Sequence, residues 1–343
     1  MLKISQLFRA VAFFGFALSA VVNAAEAVRP RIGLVLGGGG ARGAAHIGVL
    51  EVLEKLRIPV DCVAGTSMGA LVAGAYAAGL APEVMRRELA KADWNDMFID
   101  NPDYSEMSYR NKATLTRFLP GSETGVSADG VRYQSGVVAG QKIKLFFNQL
   151  VRANQGERNI EDLPLPLSIV ATDIGNGDRV VFRDGSLTTA MRASMSVPGL
   201  LAPVDYQGRK LVDGGLVDNV PIAEVRERCK ADIVIAVNVG SPLMKAEDVG
   251  SLITVSGQMV NILTEQNVTR SLALLTPNDI YIKPNLDGIT AGDFPRHAET
   301  ADRGRAAAEA LMPNLQRLSQ SEAAYLAWWK GIEGTSRVSP RID

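Results

Sequence analysis

Two cysteines and two histidines are all that this sequence of 343 residues contains, and each scarcity excludes a class of protein. Cys62 and Cys229 are too few for a disulfide scaffold. Each stands just before an apolar run, CVAGTS and ADIVIAVNV, which places both at the amino ends of parallel strands. Two buried free thiols are the expectation for such positions, and a bridge between them is the alternative. With only His46 and His297 available, no His/Cys/carboxylate cluster has metal-ligand spacing, so no metal and no cofactor is expected. Charge of one sign is also missing. Lys and Arg number 36 against 37 Asp and Glu, with no basic block, which excludes nucleic acid as a partner. Internal repeats and low-complexity segments are absent.

What is present is an ordinary globular composition, 47% hydrophobic and 21% charged, enough to bury a full core. The amino end differs. Lys3 and Arg9 precede VAFFGFALSAVV at 11–22, a run too short to span a bilayer comfortably. Small residues at Val22-Asn23-Ala24 or Asn23-Ala24-Ala25 complete a signal-peptide pattern, so residues 1–24 are expected to be removed on export. The competing reading, a buried amino-terminal helix, is disfavoured by Glu26, Arg29, Pro30 and Arg31 directly behind it. The expected organisation is a signal peptide at 1–24, a catalytic domain at 25–318, and a helix and tail at 319–343.

Short β-branched runs alternate with helical ones: Ile32 to Leu36 then Ala41 to Leu56, Val60 to Ala64 then Met68 to Ala78, and later Leu167 to Thr172 and Ile233 to Val239. This alternation predicts an α/β fold with a mainly parallel sheet covered on both faces and ligands at the carboxyl ends of its strands. Asn176-Gly177 predicts a hairpin. Asp173 and Asp178 beside it lack the alternating pattern of a calcium loop and read as turn residues. Trp94, Phe98, Tyr104, Tyr109 and Phe118 lie among polar residues without periodicity, as in an irregular insertion or lid. Residues 252–263 carry a moderate helical apolar stripe.

Gly38, Gly40 and Gly43 match G-x-G-x-x-G between a strand and a helix. A dinucleotide site would also need a carboxylate at the end of the next strand, where the sequence has Gly65-Thr66-Ser67. The same geometry, unpaired N–H groups at a helix start, equally holds a transient oxyanion. Gly65-Thr66-Ser67-Met68-Gly69 then matches G-x-S-x-G where a strand turns into a helix, as a nucleophile elbow requires. Serine needs a base. His297 is the only histidine after Ser67, and a Ser-His-Asp esterase using it is one route. Asp213, in KLVDGG with Gly214 and Gly215, is the other.

GGGARG at 38–43, GTSMG at 65–69 and DGG at 213–215, in this order, resemble the three signature motifs of patatin-like phospholipases, and ASMSVPG at 193–199 is similar to a further family stretch. The resemblance covers residues 31 to 315. It implies a three-layer α/β/α fold and calcium-independent hydrolysis of acyl esters in phospholipids at a membrane surface. Carried over by position, Ser67 is the nucleophile and Asp213 the proton acceptor. Backbone N–H groups of Gly38, Gly39, Gly40, Ala41 and Arg42 form the oxyanion hole, with Gly43, Gly65, Gly69, Gly214 and Gly215 as the motif glycines. The signal-bearing form also resembles bacterial members in which a POTRA domain and outer-membrane barrel follow the lipase. That leaves open a secretion module beyond residue 343, a location outside the cell or at its outer surface, and a homodimer. The Arg42 side chain has two roles open, anchoring an anionic head group or bonding locally to hold the loop. His46, sharing a helix face with Leu50 and Leu53, reads as a hydrogen-bonded core histidine.

Overall fold

The computed structural model describes residues 29–333 apart from 101–103, 116–124, 129, 133–135 and 153–155. The expected signal peptide, the tail at 335–343 and Phe118 lie outside the described residues.

β1 (Ile32–Leu36) passes through a 3-10 turn (Gly40–Ala44) into α1 (Ala45–Lys55), and β2 (Cys62–Thr66) passes through Ser67 into α2 (Met68–Ala77). α3 (Pro82–Lys91) starts on proline, whose fixed φ and missing N–H suit a first helical turn. The segment expected as an insertion, 93–130, holds α4 (Trp94–Met97), α5 (Tyr109–Leu115) and β3 (Gly125–Ser127), which forms a hairpin with β4 (Gly130–Arg132) at its end; β5 (Gly136–Val138) and α6 (Gln141–Leu150) follow. Its aromatics divide. Trp94 stacks on Phe294 at 4.6 Å and Phe98 packs against the same ring at 5.2 Å, while Tyr104 and Tyr109 are exposed.

Then follow β6 (Leu167–Asp173), β7 (Arg179–Phe182), α7 (Leu187–Ser194), β8 (Gly199–Leu201), β9 (Val204–Tyr206), β10 (Arg209–Asp213), α8 (Ile222–Arg228), β11 (Ile233–Val237) and α9 (Leu252–Leu272). β12 (Ile280–Ile282), α10 (His297–Glu309), α11 (Met312–Gln316) and α12 (Glu322–Glu333) complete the order. α12 packs on the body of the fold, with the Trp328 indole donating to Val60 O and Tyr76 beside Trp329.

The main sheet runs β12-β11-β1-β2-β6-β10-β9, with β7 on the other edge of β6. The five strands from β12 to β6 are mutually parallel, whereas β7, β10 and β9 pair antiparallel. The Asn176-Gly177 hairpin joins β6 to β7 as expected, with Gly177 at φ 78° and one carboxylate oxygen each of Asp173 and Asp178 taken up within the turn. Alternate strand residues face opposite cores. Leu34, Leu36, Val63, Ile235 and Val237 join the core under α1 and α2, while Val35, Ala64, Val234 and Ala236 meet Ile222 and Val225 of α8 and Val268 of α9. Helices on both faces make this the expected three-layer α/β fold.

One expectation is revised, and the helical stripe at 252–263 is helical as expected. Cys62 and Cys229 are not free thiols but a disulfide, their Cα atoms 6.3 Å apart. Parallel pairing of β1 with both β2 and β11 brings the start of β2 beside the end of α8, across 167 residues that no local pattern connects. The stripe at 252–263 is the first half of a 21-residue helix opened by a Ser251/Thr254 capping box, and its apolar face points outward: Val255, Met259, Ile262 and Leu263 are exposed, while Asn267 and Val268 turn inward.

Candidate active site

One edge of β6 carries two strands end to end. β2 runs parallel to its first half, pairing Thr66 with Val170, and β10 runs antiparallel to its second half, pairing Asp213 with Ala171. The carboxyl ends of β2 and β10 therefore point at each other over neighbouring residues of β6. The chain leaves them through Ser67 and Asp213.

Ser67 occupies the sharp turn between β2 and α2 at φ 55° and ψ −126°, a conformation a side chain adopts only at a cost of about 1–3 kcal/mol. Its surroundings hold it there. The Ser67 N–H donates to Ser194 Oγ at 2.8 Å, and that hydroxyl donates to Val170 O at 2.6 Å. Thr66 Oγ1 donates to Asp218 O on the other side. The Ser67 hydroxyl donates to Asp213 Oδ2 at 2.6 Å, with both side chains buried. Asp213 is fixed through its main chain by Ser196 O and Thr172 Oγ1, and its Oδ1 accepts the Gly215 N–H at 2.7 Å.

Burial pushes the Asp213 carboxyl up to about 6, against the opposing pull of the hydrogen bonds from Ser67 and Gly215. It is thus an ionised acceptor at neutral pH, yet close enough to its titration to take and return a proton. Neither histidine reaches this pair. His46 is fully buried, its Nε2 bonded to Gly37 O at 2.7 Å, and burial holds the ring down at about 4, so it stays neutral as a core residue. His297 starts α10, where desolvation and then nearby Arg86 lower its pKa. Among the described residues, no imidazole bonds to Ser67 or Asp213.

The glycine loop passes over Ser67. A Cβ on Gly38 would come 2.5 Å from Asn219 Oδ1 and 2.9 Å from Ser67 Cβ, so only glycine fits between them. The other motif glycines are contact points: side chains at Gly43, Gly65, Gly69, Gly214 and Gly215 would strike Met68, the Gly69 carbonyl, the Leu36 carbonyl, the Val170 carbonyl and Asn219 respectively. The five N–H groups expected to face an oxyanion are not equivalent. Gly38 N–H is shared between Asn219 Oδ1 and Asn219 O, Ala41 N–H donates to Ala291 O, and Arg42 N–H donates to Gly39 O. Gly39 and Gly40 N–H have no acceptor among the described residues.

The Arg42 side chain serves the loop. Its guanidinium donates to the carbonyls of Val239, Gly240, Leu286 and Ile289, and desolvation lowers its pKa. Held this way it has no face for a head group. Ser194, Asn219 and Asn267 are site residues that the sequence motifs did not single out. Only Ser194 had a signal, its place in the ASMSVPG stretch.

Known proteins are similar to this chain over the same stretch. The family model described as patatin-like phospholipase matches residues 34–226. An uncharacterized NTE family protein of Mycobacterium tuberculosis is 37% identical over 220 residues, covering 64% of this chain and 52% of its own length. Lysophospholipase NTE1 of Debaryomyces hansenii is 28% identical over 310 residues, covering 82% of this chain and 18% of its own. A patatin-like phospholipase domain-containing protein of Caenorhabditis elegans is 39% identical over 212 residues, covering 61% and 14%. The chain thus spans about half the length of the first of these and less than a fifth of the others. The matched stretch runs from β1 to α8 and takes in the glycine loop, the Ser67 turn and the Asp213 turn, and on that extent the chain belongs to the patatin-like phospholipase family, a family of lipid ester hydrolases.

Proposed function

We propose that this chain hydrolyses carboxylic ester bonds of phospholipids, as a phospholipase A or lysophospholipase, through a Ser67-Asp213 dyad. The observation that carries the reading is the 2.6 Å bond from the Ser67 hydroxyl to a buried carboxylate whose second oxygen is already occupied. Ser67 Oγ attacks the acyl carbonyl carbon as its proton passes to Asp213. The carbonyl oxygen becomes an oxyanion, for which the unengaged N–H groups of Gly39 and Gly40 are the donors. Collapse of the tetrahedral species breaks the ester bond, and Asp213 returns the proton to the departing alcohol oxygen. Water, deprotonated in turn by Asp213, releases the fatty acid and restores Ser67.

Approach from a phospholipid membrane surface fits the same reading. α9 touches the Asp213 turn through Thr264 and Asn267, both donating to Gly215 O, and the preceding stretch 251–264 carries no charge and exposes Val255, Met259, Ile262 and Leu263. Export agrees with the Cys62–Cys229 bridge, since disulfides persist in oxidising compartments. A secretion module beyond residue 343 rests on the family resemblance alone. The reading is tested by labelling with a lipid fluorophosphonate and by fatty-acid release from phosphatidylcholine vesicles in excess EDTA. Native protein labels and turns over while Ser67→Ala does neither. Labelling of Ser67→Ala, or turnover that requires added calcium, overturns it.

A further inference from the structure

Asn219 and Asn267 form a buried pair of amides that touches both halves of the catalytic machinery. Each is 2% exposed. Asn219 grips one peptide unit from both sides: its Oδ1 accepts the Gly38 N–H at 3.2 Å and its Nδ2 donates to Gly38 O at 3.2 Å. Those partners fix which end of the amide is oxygen. Asn267 of α9 accepts the Asn219 N–H at 2.9 Å through Oδ1, and its Nδ2 donates to Gly215 O at 2.8 Å and to Leu263 O at 3.0 Å. Gly215 in turn is the residue whose N–H holds Asp213.

We propose that Asn219, steadied by Asn267, is a positioning residue that sets the oxyanion hole against the nucleophile; the inference rests on the dyad reading above. Two physical effects combine. The clamp consumes the Gly38 N–H, the loop donor packed against Ser67, and fixes the plane of the Gly38 peptide. The next two N–H groups, Gly39 and Gly40, have no acceptor among the described residues, and a fixed Gly38 peptide restricts how they can turn. Preorganised donors are effective because no reorganisation is needed as charge develops. Without the amide, the buried Gly38 carbonyl loses its partner and the Gly38 N–H keeps only the Asn219 main-chain O at 3.3 Å, so the loop relaxes. Asn219 touches neither the acyl carbon nor the oxyanion, so its effect passes through the loop.

A positioning role and a merely structural one differ in what they move. Asn219→Ala is compared with native protein by turnover of phosphatidylcholine in mixed micelles, normalised to the titre of reactive Ser67. It is also compared by the affinity of a long-chain trifluoromethyl ketone, whose adduct with Ser67 places an oxyanion in the hole. The expected result is a fall in kcat of about 10- to 100-fold with KM within about threefold, below the loss for deleting a donor outright. Ketone affinity weakens in step with kcat/KM, and the acid limb of the pH profile stays in place because Asp213 is untouched. Asn267→Ala, one step removed, gives the same pattern at smaller size and serves if Asn219→Ala does not fold. A folded Asn219→Ala with turnover within about threefold of native overturns the proposal, as does a loss of turnover with ketone affinity unchanged. Failure of the dyad reading instead appears as turnover retained by Ser67→Ala, so the two are told apart.

Discussion

Asp213 accepts the Ser67 hydroxyl on one carboxylate oxygen and the Gly215 N–H on the other, yet burial still holds its pKa near 6. Both bonds favour the ionised form, and desolvation outweighs them. A serine base must be unprotonated, so kcat/KM should fall as pH drops through about 6, following one ionisation. A pH–rate profile on a neutral ester substrate checks this. An acid limb near the usual carboxylate range would show that burial does not govern the site.

The same shift predicts a trade between activity and stability. Folding raises the Asp213 pKa from 3.8 to about 6, so the protonated carboxyl is the form the fold prefers. That preference contributes stability in full below about pH 4 and is lost as pH rises through about 6. Asp213→Asn, which keeps the shape without the charge, should therefore be inactive but more stable than native at pH 8, by about 1–3 kcal/mol, with the gain vanishing near pH 4. Thermal melts at the two pH values decide it. Equal or lower stability of the variant at pH 8 would contradict the account.

Ser194 supports the strained turn by accepting the Ser67 N–H. Ser194→Ala leaves that buried donor unpaired, at a cost of about 1–3 kcal/mol in stability. Turnover should fall about tenfold, because the nucleophile's backbone is no longer held in place. Denaturant midpoints and steady-state rates read the two effects separately.

The Cys62–Cys229 bridge closes 167 residues that include all of the site between Ser67 and Asp213. Replacing both cysteines by alanine should lower stability by about 2–4 kcal/mol while turnover at 25 °C changes little. Denaturant unfolding with and without a reductant tests this, reductant having no effect on the variant.

What the sequence made legible was what is local. The glycine loop, the Ser67 turn and the Asp213-Gly-Gly turn are each a few consecutive residues at the end of a strand, and their conformation is written in glycine spacing. What was not legible depends on contacts between distant segments. Ser194 meets Ser67 across 127 residues, and Asn219 meets Gly38 across 181. The state of the loop's N–H groups has a similar origin: five look alike in sequence, and Asn219, Ala291 and Gly39 take up three of them. The outward face of α9 escaped because a helical stripe looks the same whether it faces a core or a solvent-exposed surface. β9 and β12 have three residues each, too few for any period to register.

The central claim is that a carboxylate, and not an imidazole, is the base for Ser67. Phospholipid turnover by His297→Ala, with circular dichroism to confirm folding, tests it most directly. The account predicts kcat/KM within about tenfold of native, the size of an indirect packing effect. Loss as complete as that of Ser67→Ala in a folded His297→Ala protein would make histidine the base and contradict the assignment of Asp213.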